Sequence, residues 1–123
     1  MPARPHRLLL HLPDGRRIPL DPEEIYYLEA QEADTLVRTR SKRLLHDVRS
    51  LGQIEPRLAA WPFLRIHRAL LVNLHRVREL RPRRGARGWE VVLAAPVNKV
   101  LPVAEGRVRE LMGRFEGEGP SDG

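Results

Sequence analysis

The sequence predicts a mainly β domain of short antiparallel strands, with one short internal helix and a C-terminal helix. Three observations lead there. Residues 63–67 alternate Phe63, Arg65 and His67 against Leu64 and Ile66, and the run that follows is almost wholly apolar up to Asn73. Alternation marks a half-buried strand, and a short apolar run a deeply buried one. Turn-forming residues recur between short apolar stretches along the chain, and helical spacing is confined to the stretches after Ser50 and after Glu105.

The elements follow in order. Arg7 to Leu12 and Arg16 to Leu20 read as a hairpin around Pro13-Asp14-Gly15, where glycine allows a positive φ. Glu24 to Ala30 and Thr35 to Arg40 form a second pair across the polar Gln31-Glu32-Ala33-Asp34. Arg43 to Val48 continues the meander after Ser41-Lys42. Ser50-Leu51-Gly52-Gln53 has the form of a capping box, in which each side chain satisfies an orphan amide. The helix it opens would bury Leu51, Ile54, Leu58 and Trp61, with Pro56 kinking or shortening it and Pro62 ending it.

Strands resume at Phe63–His67, Ala69–Leu74 and Val77–Leu80. Residues 82–88 form a loop, Trp89–Ala94 returns, and residues 95–98 turn into Lys99–Val103. Val108, Leu111, Met112 and Phe115 then fall at helical spacing, with Gly106 and Gly113 weakening the helix. This divides the chain into an N-terminal arm (1–6), a folded domain (7–112) and a flexible tail (113–123).

Composition removes several functional classes. A chain of 123 residues is about one domain. Without cysteine it has no disulfide framework, thiolate metal site or thiol nucleophile. No apolar run approaches the roughly 18 residues of a membrane span, and no signal-peptide core is present, so a cytoplasmic protein is expected. Aromatic residues are only 5%, too few for a single-strand stacking platform. Charge is the positive clue: residues 65–99 carry nine basic groups against two acidic, while the rest carries 13 against 14. The whole net charge of +6 therefore lies in one sequence segment, and a one-sided field of that kind suits a polyanion.

Phe63 to Asn73 resembles the F-x-R-x-H-R-S-x-x-V-N signature of the LytTR family, the DNA-binding domain of many bacterial response regulators. Ile25-Tyr26-Tyr27-Leu28-Glu29-Ala30 is similar to the family's opening I-x-Y-L-E-A strand, and Val100-Leu101-Pro102-Val103 to its closing I-P-V strand. The three motifs keep the family's order and cover roughly residues 7 to 112. The resemblance implies an elongated set of small β-sheets that enters the major groove with loops and not with a recognition helix. It implies a transcription regulator with no cofactor and no metal. Its partners would be double-stranded DNA, a second copy on repeated sites and a controlling protein, with no membrane.

Carried over by motif, three places should face DNA: the loop around Asp34 and Thr35, the His67-Arg68 junction, and the segment just after Val103 with Glu105 and Arg107. Arg38 and Lys99 are further candidate cations. Arg68 could grip guanine O6 and N7 bidentately, and His67 could donate to a phosphate. Three departures stand out: Ala69 replaces a small hydroxyl residue, Ala104-Glu105 replaces Ser-Arg, and Asp34 replaces an aromatic. Arg107 is the expected compensator for Glu105. Such domains commonly follow a receiver, for which this length leaves no room; the expectation is constitutive binding or control by another protein. The alternative is an interaction or non-specific nucleic-acid-binding module that has lost base readout. Neither the His67/His75 spacing nor any carboxylate pair or glycine-rich loop supports an enzyme.

Overall fold

The computed structural model describes residues 7–41 and 43–117; the arm expected at 1–6 and residues 118–123 of the tail lie outside them. Among the described residues, ten strands form three antiparallel sheets, so the fold is mainly β, as expected. Strands β1 (Leu8–His11) and β2 (Arg17–Leu20) make the first hairpin. Strands β3 (Ile25–Gln31), β4 (Asp34–Thr39), β5 (Leu44–Asp47), β6 (Phe63–His67) and β7 (Leu70–Asn73) form a five-stranded sheet of order β5-β4-β3-β7-β6. Strands β8 (Val77–Pro82), β9 (Trp89–Leu93) and β10 (Val100–Val103) form the third sheet as a meander.

The five-stranded sheet is the middle layer, which explains its composition. Side chains alternate across a strand, so a strand covered on both faces must be apolar throughout. On β7, Leu71 faces a core with Leu28, Val37 and the hairpin residues Leu8 and Leu10. Its neighbours Leu70 and Val72 face the opposite core, shared with Ile66, Val91, Leu93 and Leu101. Strand β4 is covered on one face only and alternates accordingly: Thr35, Val37 and Thr39 are buried, while Asp34, Leu36 and Arg38 are half-buried. Asn73 closes β7 as a buried staple: its Nδ2 donates to the Ile25 carbonyl at 2.9 Å, and its Oδ1 accepts from the His75 amide.

Helix α1 (Leu51–Ile54) opens with the expected capping box: Ser50 Oγ accepts from the Gln53 amide, and Gln53 Oε1 accepts from the Ser50 amide. It continues as a 3₁₀ turn at Glu55–Leu58, because Pro56 has no N–H to extend the α ladder. Leu51, Ile54 and Leu58 are buried, and Trp61 packs at the margin of the same core. Ser50→Ala should lower stability by about 1 kcal/mol in urea unfolding. A loss of under a few tenths would mean that Gln53 alone satisfies this end.

Helix α2 (Val108–Glu116) follows a 3₁₀ turn at Glu105–Arg107. It continues through Gly113 to a left-handed Gly117 (φ +62°), past residue 112 where the sequence suggested the folded domain would end. Leu111 is fully buried and Val108 packs beside it. That burial outweighs the roughly 1 kcal/mol that glycine costs within a helix. Phe115, expected on the buried stripe, is instead 42% exposed.

Candidate nucleic-acid interface

Strand pairing alone brings distant segments together. Strand β3 runs antiparallel to both β4 and β7, so the β3–β4 and β6–β7 turns lie at the same end of the sheet. The Ala30 amide donates to the Ala69 carbonyl at 2.9 Å, joining the two turns. The Ala104 amide donates to the Ile66 carbonyl at 2.8 Å, which docks the segment after β10 on edge strand β6 beside His67. The three places carried over from the family motif are therefore neighbours at one end of the molecule.

The β6–β7 turn is braced from within. His67 Nδ1 accepts from the Ala69 amide at 3.1 Å, so the turn favours the tautomer with its proton on Nε2, a donor left for a ligand. Arg65 donates to the Arg68 carbonyl and pairs with Glu55 at 2.9 Å. Its Nε is buried without a partner among the described residues. The Arg68 side chain is exposed, and its guanidinium has no protein partner among the described residues. A fixed backbone thus presents a free guanidinium and an imidazole donor.

The β3–β4 turn differs from expectation. Thr35 does not present its hydroxyl outward: it is fully buried, and Oγ1 donates to the Arg49 carbonyl at 2.8 Å. Register explains this, since Thr35 lies on the face of β4 that carries Val37 and pairs directly with buried Asp47. Asp34 lies on the other face, where its carboxylate bonds His46 Nε2 at 2.7 Å. Exposed Glu32 at the tip has φ +57°, so this turn carries more negative than positive charge.

Beneath it, Asp47 accepts from the His11 and Arg49 amides and from two guanidinium nitrogens of Arg49. Burial alone would raise its pKa. The Arg49 guanidinium and the two amides outweigh that and hold the carboxyl below the usual range. His46, Asp47 and Arg49 were missed as members of this end. The available signal was the antiparallel register about Ser41-Lys42, which pairs Thr35 with Asp47 and Leu36 with His46.

At the third segment, exposed Glu105 opens the 3₁₀ turn before α2. It lines a groove of about 570 Å³ with Arg83, Arg87, Gly88, Trp89, Val103 and Val108. Arg107 points instead toward its own helix, with a nitrogen 3.7 Å from Glu110. The two remaining candidates are not brought to this end. Arg38 pairs with Tyr27 further along β4 and donates to the Thr39 carbonyl. Lys99 immediately precedes β10, at the end of the strand opposite Val103, in the connection whose Ala95 carbonyl accepts from Tyr26.

The basic sequence segment is likewise not one surface. Arg76 donates to the Glu23 carbonyl and lies 5.1 Å from the Tyr26 ring centroid. Arg81 pairs with Glu90 at 2.7 Å, and Arg65 with Glu55. Arg68, Arg83, Arg84 and Arg87 have no ion-pair partner among the described residues, and all four are exposed near the convergent end. Exposed Arg78 and Lys99 of the same segment lie away from it, Arg78 toward Asn98.

Comparison with known proteins agrees with this fold. A family model described as LytTr DNA-binding domain matches residues 15–116. A sensory transduction protein LytT from Oceanobacillus iheyensis is 24% identical over 112 residues, covering 90% of this chain but 44% of the relative. The chain thus spans less than half the length of that relative. The solved LytTr DNA-binding domain of a methyl-accepting/DNA response regulator from Bacillus cereus superposes with a TM-score of 0.69 at 24% identity. That match covers 88% of this chain and 97% of the other. It establishes a shared fold.

Proposed function

Since the chain belongs to the LytTr DNA-binding domain family, we propose that it binds double-stranded DNA with base preference and regulates transcription from the convergent end of its sheets. The observation carrying this reading is the joining of three motif segments by the Ala30–Ala69 and Ala104–Ile66 hydrogen bonds, with Arg68 free at their centre. His67 Nε2 donates to a phosphate and sets position; Arg68 reads a base edge in the major groove and supplies preference. A second copy on repeated sites and a controlling protein belong to the same proposal, as does a bacterial cytoplasmic setting. Among the described residues, no helix is long and apolar enough to cross a membrane.

A second reading, an interaction module without base readout, is favoured by Glu32, Asp34 and Glu105 at the same end. Selecting bound duplexes from a random DNA pool separates the two. A specific regulator should prefer its selected duplex over scrambled competitor by about 10³-fold or more. With roughly five or six phosphate contacts, log K should fall against log salt with a slope near −5. Equal affinity for selected and scrambled duplexes would leave the second reading standing, and a flat salt response would remove DNA as the partner.

A further inference from the structure

The sequence placed Glu105 where the family usually offers a cation, and named Arg107 as its substitute. The structure answers differently. Strand β9 pairs with both β8 and β10, matching Pro82 with Trp89 and Trp89 with Val103. The β8–β9 turn therefore emerges at the Val103 end, beside the turn that carries Glu105. The Arg83 amide donates to the Gly88 carbonyl at 2.9 Å and closes this turn. Gly85 (φ +72°) and Gly88 (φ +97°) supply the left-handed conformations it needs. Arg83, Arg84 and Arg87 project from it with no ion-pair partner among the described residues.

Arg83 and Arg87 share a groove with Glu105, whereas Arg107 faces Glu110. Two guanidiniums beside one carboxylate reverse the local sign, and Arg84 adds a third positive charge. The opposite flank of the interface carries Glu32 and the Asp34–His46 pair, so the electrostatic centre is displaced toward the β8–β9 turn.

We propose that the β8–β9 arginine turn is a phosphate clamp that extends the DNA footprint beyond the three motif segments, supplying through space the cation that Glu105 removes from the chain. This rests on the DNA-binding reading above. The ligand is the sugar–phosphate backbone flanking the base-read site, and the contact carries no base preference. Conservation of backbone shape is not at stake in the test, because the turn is closed by main-chain atoms and its glycines are retained.

The test uses the full chain and two duplexes, the selected one and a scrambled one, with affinity measured over a salt series. The triple variant Arg83→Gln/Arg84→Gln/Arg87→Gln should weaken both duplexes alike, by tenfold or more at low salt. It should also make the log–log salt slope shallower by about 2.7 for three lost phosphate contacts. Arg107→Gln should leave the slope unchanged. A thermal melt equal to that of the parent shows that the triple variant is folded. An unchanged slope for the folded triple variant, beside a steep slope for the parent, would overturn the clamp and leave DNA binding intact. Loss on the selected duplex alone would make the turn a base reader and overturn it too. A parent that shows no salt dependence would instead remove the DNA-binding reading itself.

Discussion

Asp47→Ala is expected to destabilise the fold by about 3–5 kcal/mol, the cost of removing one partner from a buried ion pair. The carboxylate is fully buried and accepts four hydrogen bonds: two from backbone amides of different segments and two from Arg49. Alanine leaves the Arg49 guanidinium, itself only 14% exposed, without its counter-charge. The His11 amide loses its acceptor as well, so the first hairpin loosens from β5. Urea unfolding measures the loss. A difference below about 1 kcal/mol would mean that water or another acceptor replaces the carboxylate.

The same residue sets an acid dependence. The folded-state pKa of Asp47 lies below its unfolded value, because the Arg49 and amide hydrogen bonds outweigh the opposing effect of burial. Its contribution is therefore complete above the unfolded-state pKa near 4 and disappears as pH falls through the lower folded value. Parent and Asp47→Ala stabilities should converge below about pH 4. A gap that stays constant into strong acid would assign the loss to packing and not to charge.

Arg68→Ala is expected to lower affinity for the selected duplex by about 1–3 kcal/mol and to relax preference at one base pair. The substitution isolates the guanidinium. It has no partner among the described residues, and the bond that fixes the turn runs from Arg65 to the Arg68 main-chain carbonyl, which alanine keeps. Stability should change by no more than about 0.5 kcal/mol, as for exposed positions generally. Equal losses on selected and scrambled duplexes would make Arg68 a phosphate contact. A large loss of stability would show that its side chain holds the turn.

Much of the architecture was legible because strand and turn signals are local. The Phe63–Asn73 pattern, the capping box at Ser50 and the glycine-bearing turns act over a few residues, and each corresponds to an observed element. The helical spacing already carried the last helix to Phe115, but a domain boundary at 112 missed its final turn, because the burial of Val108 and Leu111 against the sheets overrides the local preference of Gly113. The same distinction governs the site. Linear order and residue type offered Arg68 and the segment after Val103 as candidates, because a recurring motif carries them. Which of 22 basic residues remain free was decided only by tertiary structure. Partners such as Glu55 for Arg65, Tyr26 for Arg76 and Glu90 for Arg81 come from other elements, brought there by the fold. Charge adds up along a sequence, but a field depends on where chain pairing places each charge and on which of them it neutralises.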